Sequence, residues 1–315
     1  MLVAIQPSDA HIESVVRHSP IPLFPYSPIP SLMNLPLRVG LAVRATVFAI
    51  CLAAFGAGAE PTESSVPGGV KILPIPSVQA EAPVVRFQGQ RVLVARTEKG
   101  WHAYVGLPLG TKPGAHTVEV ELAGRTSSIV FETRDKTYPV QHLKIPDQRK
   151  VDPSATDMER IRREQKLIAS ARSRWDDRRD VDLDFILPAD GRLSSRFGLR
   201  RILNGQPRSP HAGLDLAIPR GTPIHSAAAG SVTLTDDFFF NGKTVFVDHG
   251  QGLISMYCHL DEISVKPGDK LARGEALGLS GMTGRVTGPH LHWGIFLNGT
   301  LVDPELFVKA PPSTS

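Results

Sequence analysis

The sequence has little of what builds several common protein classes. Only 2 of its 315 residues are cysteines, which excludes a disulfide-rich scaffold. Aromatic residues account for 6% of the chain, and the formal net charge is only +4. A charge excess this small gives no reason to expect nucleic-acid binding. The chain is nevertheless not disordered, because 41% of its residues are hydrophobic and such a share allows a real core.

Turn-forming residues are abundant. The chain contains 28 glycines and 27 prolines, more than the roughly one residue in eight that is usual. This excess argues against a helical bundle. It favours a turn-rich and mainly β fold.

The N-terminal region lacks an apolar run of the roughly 20 residues that a membrane-spanning helix needs. The run 45–55 follows Arg38 and Arg44 and precedes the small residues 57–59, an order typical of a secretory signal. We therefore expect a signal region over 1–59, export to the periplasm or cell envelope, and no stable membrane span after cleavage. Because the residues before Met33 are rich in proline and fit no export signal, we expect translation to start at Met33. Cleavage would also remove Cys51.

The rest of the chain divides by composition into five regions. Prolines with polar spacers predict an extended linker, and short β-type runs between glycine-containing turns predict a small β domain. Thr156 and Glu159 have the spacing of a capping box and predict the start of a connecting helix. The many arginines of that helix indicate a solvated face or, alternatively, contact with an anionic surface. The predicted regions are a linker over 60–83, a small β domain over 84–145, the helix over 154–179, an antiparallel β domain over 184–308 and a tail over 309–315.

Histidines mark the β domain over 184–308. They lie in three segments, 210–215, 256–260 and 288–293. Alternate residues of a strand share a face, so His290 and His292 project together. Their neighbours Leu291, Trp293 and Ile295 then form an apolar face.

The same alternation predicts the two faces of the strand 253–260. Cys258 falls with Ile254 and Met256 on the predicted core face, so we expect a buried cysteine rather than a metal ligand. His259 falls with Tyr257 on the predicted polar face, where chemistry could occur.

These residue types together fit a zinc site. A catalytic zinc ion uses three protein ligands from histidine and carboxylate side chains and keeps a position for water. His211, Asp215 and His292 could supply two nitrogens and one oxygen. His259 and His290 would remain nearby, and an imidazole can accept a proton from water at neutral pH. Such a site predicts hydrolysis of an amide bond.

The ordered segments resemble the lysostaphin-type zinc metallopeptidases of family M23. The resemblance covers about residues 184–308. It is carried by the segments 195–198, 211–215, 257–260, 265–268 and 280–284, and by 288–292 at the end.

This resemblance implies a peptidoglycan endopeptidase that binds one zinc ion per chain through His211, Asp215 and His292. It also implies that His259 and His290 are the catalytic pair, without saying which of them activates the water. The expected substrate is a peptide cross-link of peptidoglycan. Export and the absence of wall-anchoring repeats favour a Gram-negative periplasm.

Two positions depart from many relatives, Gly294 in place of an acidic residue and Val286 in place of a small polar one. Neither corresponds to a metal ligand in the family pattern.

Some relatives act without hydrolysis, as activators of another cell-wall hydrolase, and this is the alternative function. A purely structural role is the third hypothesis. Arg196 and Arg201 are candidates for contact with an anionic part of a peptide, or for ordinary surface placement.

Overall fold

The computed structural model describes residues 60–77 and 80–309. The predicted signal region, the start at Met33, Cys51 and residues 310–315 lie outside the described residues. Strands predominate over helix, as the sequence predicts. Within the described part, no helix has the length and apolar character needed to cross a membrane.

The N-terminal β domain consists of two small sheets that face each other. One sheet has the strand order β1-β5-β4 and the other the order β3-β2-β6-β7. Buried side chains from both sheets, such as Leu73, Phe87, Val105 and Phe131, form a common core. The strands of these two sheets are β1 (Val70–Ile75), β2 (Val84–Phe87), β3 (Gln90–Arg91), β4 (Leu93–Thr97), β5 (Gly100–Gly106), β6 (Gly114–Leu122) and β7 (Arg125–Thr133). Strand β8 (Val140–Leu143) follows them in the chain and belongs to neither sheet.

The prediction of an extended linker over 60–83 is wrong for the residues of β1. This strand pairs along its whole length with β5 and buries Val70, Leu73 and Ile75. Pro74 has no backbone N–H to donate. It is tolerated here because β1 is at the edge of its sheet, where a strand pairs on one side only. Of the prolines that suggested a linker, Pro74 lies in β1 and is compatible with an edge strand.

The connecting helix α1 (Ala155–Arg172) begins within one residue of the predicted start at 154 but ends at Arg172, before the predicted end at 179. Its N-cap is Ser154, whose side chain accepts from the Asp157 backbone N–H at 3.1 Å. The Asp157 carboxylate in turn accepts from the Ser154 backbone N–H at 3.2 Å. The capping box is therefore Ser154 with Asp157, and the prediction of Thr156 with Glu159 is wrong. A short 3-10 helix, Gln148–Lys150, precedes α1.

The C-terminal β domain is a large sheet whose central strand order is β17-β14-β15-β16-β19-β12-β9. Its main core contains Leu214, Tyr257 and Trp293. A smaller apolar cluster on the other side of β16 and β19 includes Met256 and Phe296. The strands are β9 (Arg192–Ser195), β10 (Arg200–Leu203), β11 (Gln206–Pro207), β12 (Leu214–Ala217), β13 (Pro223–His225), β14 (Gly230–Phe238), β15 (Gly242–Gly250), β16 (Leu253–Ile263), β17 (Lys270–Leu271), β18 (Ala276–Ser280), β19 (Leu291–Leu297) and β20 (Thr300–Val302).

Two segments attach the N-terminal part of the chain to the C-terminal sheet. Strand β8 pairs in parallel with β10, so these residues, predicted to be part of the small β domain, extend a sheet of the C-terminal domain. Helix α1 packs beside the β14–β15 hairpin, where the buried Glu164 carboxylate accepts from the Phe239 backbone N–H at 2.8 Å. Helix α1 and strand β10, to which β8 attaches, both contribute residues to a cleft that histidines also line.

Candidate metal centre and catalytic site

His211 and Asp215 come together at the start of β12. His211 lies in the loop before the strand and Asp215 is its second residue. Both are almost fully buried, at 2% and 5% exposure. The His211 Nε2 atom is 2.9 Å from Asp215 Oδ1.

The sheet register brings His292 to the same point. His292 of β19 is the direct cross-strand partner of Asp215. Its Nδ1 atom is 2.7 Å from Asp215 Oδ1 and 3.0 Å from His211 Nε2. Gly213 makes this approach sterically feasible, because a Cβ atom there would lie 2.5 Å from the His292 ring. Three donor atoms, two imidazole nitrogens and one carboxylate oxygen, therefore converge.

Two hydrogen bonds orient these donors. The His211 Nδ1–H group donates to the Arg196 carbonyl oxygen at 2.8 Å, which leaves Nε2 to face Asp215. The Arg201 guanidinium donates to Asp215 Oδ2 at 3.0 Å, which leaves Oδ1 to face the imidazoles. Bonds of this kind fix the tautomer and direction of metal ligands.

The protonation states suit a cation. Burial would raise the pKa of the Asp215 carboxyl, but the attraction of His211 and hydrogen bonds from His211 and His292 hold that pKa well below its usual range. Burial lowers the pKa of His292 to about 4, so this imidazole is neutral at pH 7. A carboxylate with neutral imidazole nitrogens is a donor set that zinc prefers, and the three side chains fit that ion.

His259 and His290 lie beside these donors. Their ring centroids are 4.8 Å apart, and the His259 ring is 6.0 Å from that of His292. The Nδ1–H groups of His259 and His290 donate to the carbonyl oxygens of Thr283 at 2.9 Å and Gly288 at 2.8 Å. His290 Nε2 is 3.9 Å from Asp215 Oδ1. Burial, and then His290 and His292, hold the pKa of His259 well below its usual value, so its Nε2 carries no proton at neutral pH.

The position of His259 depends on an irregularity that the alternation pattern did not predict. Its φ angle is +64°, in the left-handed region, and its backbone N–H donates to the Asn241 carbonyl at 2.8 Å outside the β16 ladder. This bulge turns His259 to the face of β16 that carries Met256 and Cys258. The prediction that His259 shares a face with Tyr257 is therefore wrong, because Tyr257 is in the main core.

Cys258 is fully buried, as expected from the sequence. Burial raises the pKa of its thiol to about 12, so it remains protonated and suits no role as a ligand. The predicted apolar face of Leu291, Trp293 and Ile295 is also confirmed, since all three are in the main core.

The remaining histidines of this domain lie apart from the candidate metal centre. His225 ends β13 and its Nδ1 is 3.3 Å from the Pro188 carbonyl. His249 is buried beside Phe185, where its ring nitrogens contact the Ala229 carbonyl at 2.8 Å and Ser255 Oγ at 2.7 Å.

An open cleft exposes the site to solvent. It is lined by His211, His259 and His292 together with residues that sequence reasoning did not assign to the site. Helix α1 forms one wall with Ile168 and Arg172. The cleft is also lined by Arg201, Phe240, Asn241, Met256 and Arg285. Only Arg201 had been named as a candidate, and no local motif marks the others as site residues.

Comparison with known proteins places two family models on the chain. The model of peptidase family M23 matches residues 209–304, and that of the peptidase family M23 N-terminal domain matches residues 63–136. A crystal structure described as an M23 peptidase from Pseudomonas aeruginosa is 43% identical to the chain. It covers 78% of this chain and 95% of its own, with a TM-score of 0.67.

Curated relatives match the C-terminal region. Peptidoglycan DD-endopeptidase ShyA of Vibrio cholerae is 43% identical over 113 residues, which are 36% of this chain and 26% of the relative. DD-carboxypeptidase/endopeptidase Mpg of Neisseria gonorrhoeae is 38% identical over 113 residues, with the same shares of 36% and 26%. The match thus spans about a quarter of the length of these two relatives.

Proposed function

This chain belongs to peptidase family M23, and from that premise we propose that it is an exported zinc-dependent endopeptidase that hydrolyses peptide cross-links of peptidoglycan. One observation carries the proposal: the donor atoms of His211, Asp215 and His292 converge at the floor of an open cleft, with His259 and His290 beside them. The names of the curated relatives are consistent with a peptidoglycan substrate.

The metal would be held by His211 Nε2, Asp215 Oδ1 and His292 Nδ1. Zinc, when bound, supplies a Lewis acid that activates water and polarises the carbonyl of the scissile amide. Arg196 and Arg201 hold two of the ligands in their binding orientation through the bonds described above.

The catalytic pair moves the protons of the reaction. One of His259 and His290 accepts a proton from the attacking water through its Nε2 atom and returns it to the nitrogen of the departing amine. The other, with both ring nitrogens protonated, donates a hydrogen bond through its Nε2–H to the oxygen on which negative charge develops. The carbonyl groups of Thr283 and Gly288 fix the opposite ring nitrogen of each imidazole, so each Nε2 is directed into the site.

Export agrees with this substrate, because peptidoglycan lies outside the cytoplasmic membrane. The basic, apolar and small residues over 38–59 have the order of a secretory signal. The periplasm or cell envelope is therefore the proposed location, and peptidoglycan peptides are the proposed partners.

Digestion of purified peptidoglycan tests the function. Zinc-loaded protein should release muropeptides whose new termini, identified by mass spectrometry, define the bond that is cut, and His292→Ala should release none. If the zinc-loaded protein leaves every peptidoglycan preparation intact but stimulates a separate cell-wall hydrolase, the activator alternative replaces this proposal.

A further inference from the structure

Positively charged side chains line the cleft. Arg201 and Arg285 line it beside the histidines, and Arg172 approaches from α1. Burial, and then the charges of Arg201 and Arg208, lower the pKa of Arg285 to about 10. The guanidinium groups of Arg201, Arg208 and Arg285 therefore lie close enough to repel one another.

Acidic partners balance only two of these three groups. Arg201 pairs with Asp215 at 3.0 Å and Arg208 pairs with Asp152 at 3.0 Å. Arg285 forms no ion pair with any residue that the structure describes. Its contacts are a long hydrogen bond of 3.5 Å to the Lys150 carbonyl and the Phe240 ring, whose centroid is 4.4 Å from the guanidinium carbon.

Two of these arginines also carry a hydrogen-bond donor that has no acceptor among the described residues. The Nε atoms of Arg201 and Arg208 are buried and have no hydrogen-bond partner among the described residues. A partly buried cation without a counter-charge is unfavourable. A guanidinium fork whose plane is held against an aromatic ring is well suited to a carboxylate.

We propose that Arg285, with Arg201 beside it, forms a carboxylate-binding subsite of the cleft, so that the hydrolysed peptide carries a free carboxylate close to the scissile amide. This inference rests on the proposed function and narrows its substrate to acidic peptides. The carboxylate has two sources. It is either the C-terminus of the residue to be released or an acidic group within an uncleaved peptide chain.

Matched peptides test the subsite on the full zinc-loaded chain. The parent peptide carries both carboxylates, one analogue has a C-terminal amide, and the other has a carboxamide at the internal acidic position. Wild-type protein should cleave the parent with a kcat/KM at least about 10-fold above that of one of the analogues. The analogue that is impaired identifies the source of the carboxylate.

Substitutions then assign this preference to Arg285. In Arg285→Gln, the ratio of kcat/KM for the parent peptide to kcat/KM for the impaired analogue should fall to less than about 2. Arg285→Lys should retain part of the preference for the parent peptide, because the positive charge remains. Arg125→Gln, at an exposed position of β7 in the N-terminal domain, should keep the wild-type ratio.

Two results overturn the proposal: equal cleavage of all three peptides by the wild type, or an equal loss for all three in Arg285→Gln. If no peptide is cleaved, that result counts against the proposed function and not against the subsite. Titration calorimetry of the same peptides then tests carboxylate binding directly. The carboxylate peptide should then bind about 10-fold more tightly to the wild type than to Arg285→Gln, and equal dissociation constants would refute the subsite.

Discussion

The side-chain amide of Asn298 hydrogen-bonds both backbone groups of Gly106. Its Nδ2 donates to the Gly106 carbonyl at 3.1 Å, and its Oδ1 accepts from the Gly106 N–H at 2.7 Å. Gln251 binds both backbone groups of Val94 in the same way, with two bonds of 3.1 Å. Two tight turns of the C-terminal domain thus bind the backbone of the N-terminal β domain, and both pairs are buried.

Removing the Asn298 amide should destabilise this contact between the domains. In Asn298→Ala the buried N–H and C=O groups of Gly106 lose their partners, and each such group costs about 1–3 kcal/mol. We expect the free energy of unfolding, measured with denaturant, to fall by about 2–4 kcal/mol. Gln88→Ala is the matched control, because Gln88 is an exposed amide residue that also has a positive φ. An equal effect of both variants would show that the turn conformation, not the paired amide, is responsible.

Loss of one metal ligand should abolish zinc binding and hydrolysis together. We expect His211→Ala and His292→Ala to purify with less than about a tenth of the wild-type zinc, because only two of the three ligands remain. Elemental analysis and muropeptide release measure the two effects. His116→Ala, in the N-terminal β domain, should keep both properties. Full zinc occupancy of either ligand variant would contradict the assigned ligand set.

The hydrogen bond from Arg201 to Asp215 should tune the metal centre. Arg201→Gln frees Asp215 Oδ2 and lets the carboxylate rotate, so the zinc affinity should fall about 10-fold, within the range usual for groups that hold metal ligands. Competition with a fluorescent chelator gives the dissociation constant. An affinity unchanged in this variant would mean that β12 alone positions the carboxylate.

His249 should make the stability of the protein depend on pH. Burial lowers the pKa of this imidazole to about 4 from its ordinary 6.5. Its stabilising contribution is therefore complete above pH 6.5 and is lost as the pH falls from 6.5 through 4. The difference in pKa corresponds to about 3 kcal/mol.

Denaturant unfolding of metal-free protein between pH 7 and pH 4 measures this effect. His249→Asn can keep the donor to the Ala229 carbonyl but does not titrate. The free energy of unfolding of His249→Asn should be lower than that of the wild type at pH 7, and it should decline less steeply than that of the wild type as the pH falls. Parallel pH profiles for the two proteins would refute this role of His249.

The sequence by itself determined the chemical inventory of the site and the class of fold. The sequence predicted a metal centre from the types and order of five residues, His211, Asp215, His259, His290 and His292. Histidine and carboxylate side chains are the ligands that catalytic zinc sites use. Alternation along β19 predicted the face that carries His292, because that strand is regular. Turn residues and short apolar runs were enough to predict a mainly β chain.

Tertiary structure decided what depends on residues far apart in the chain. The register of β12 with β19 places Asp215 opposite His292. The bulge at His259 turns its ring toward His292, and a rule of strict alternation along a strand does not predict such a bulge. Arg201 and Arg285 become neighbours only because β10 and the loop before β19 meet at one cleft. Strand β1 forms despite Pro74 because it lies at a sheet edge. Local patterns specify what a residue can do, whereas pairing between distant strands decides which residues do it together.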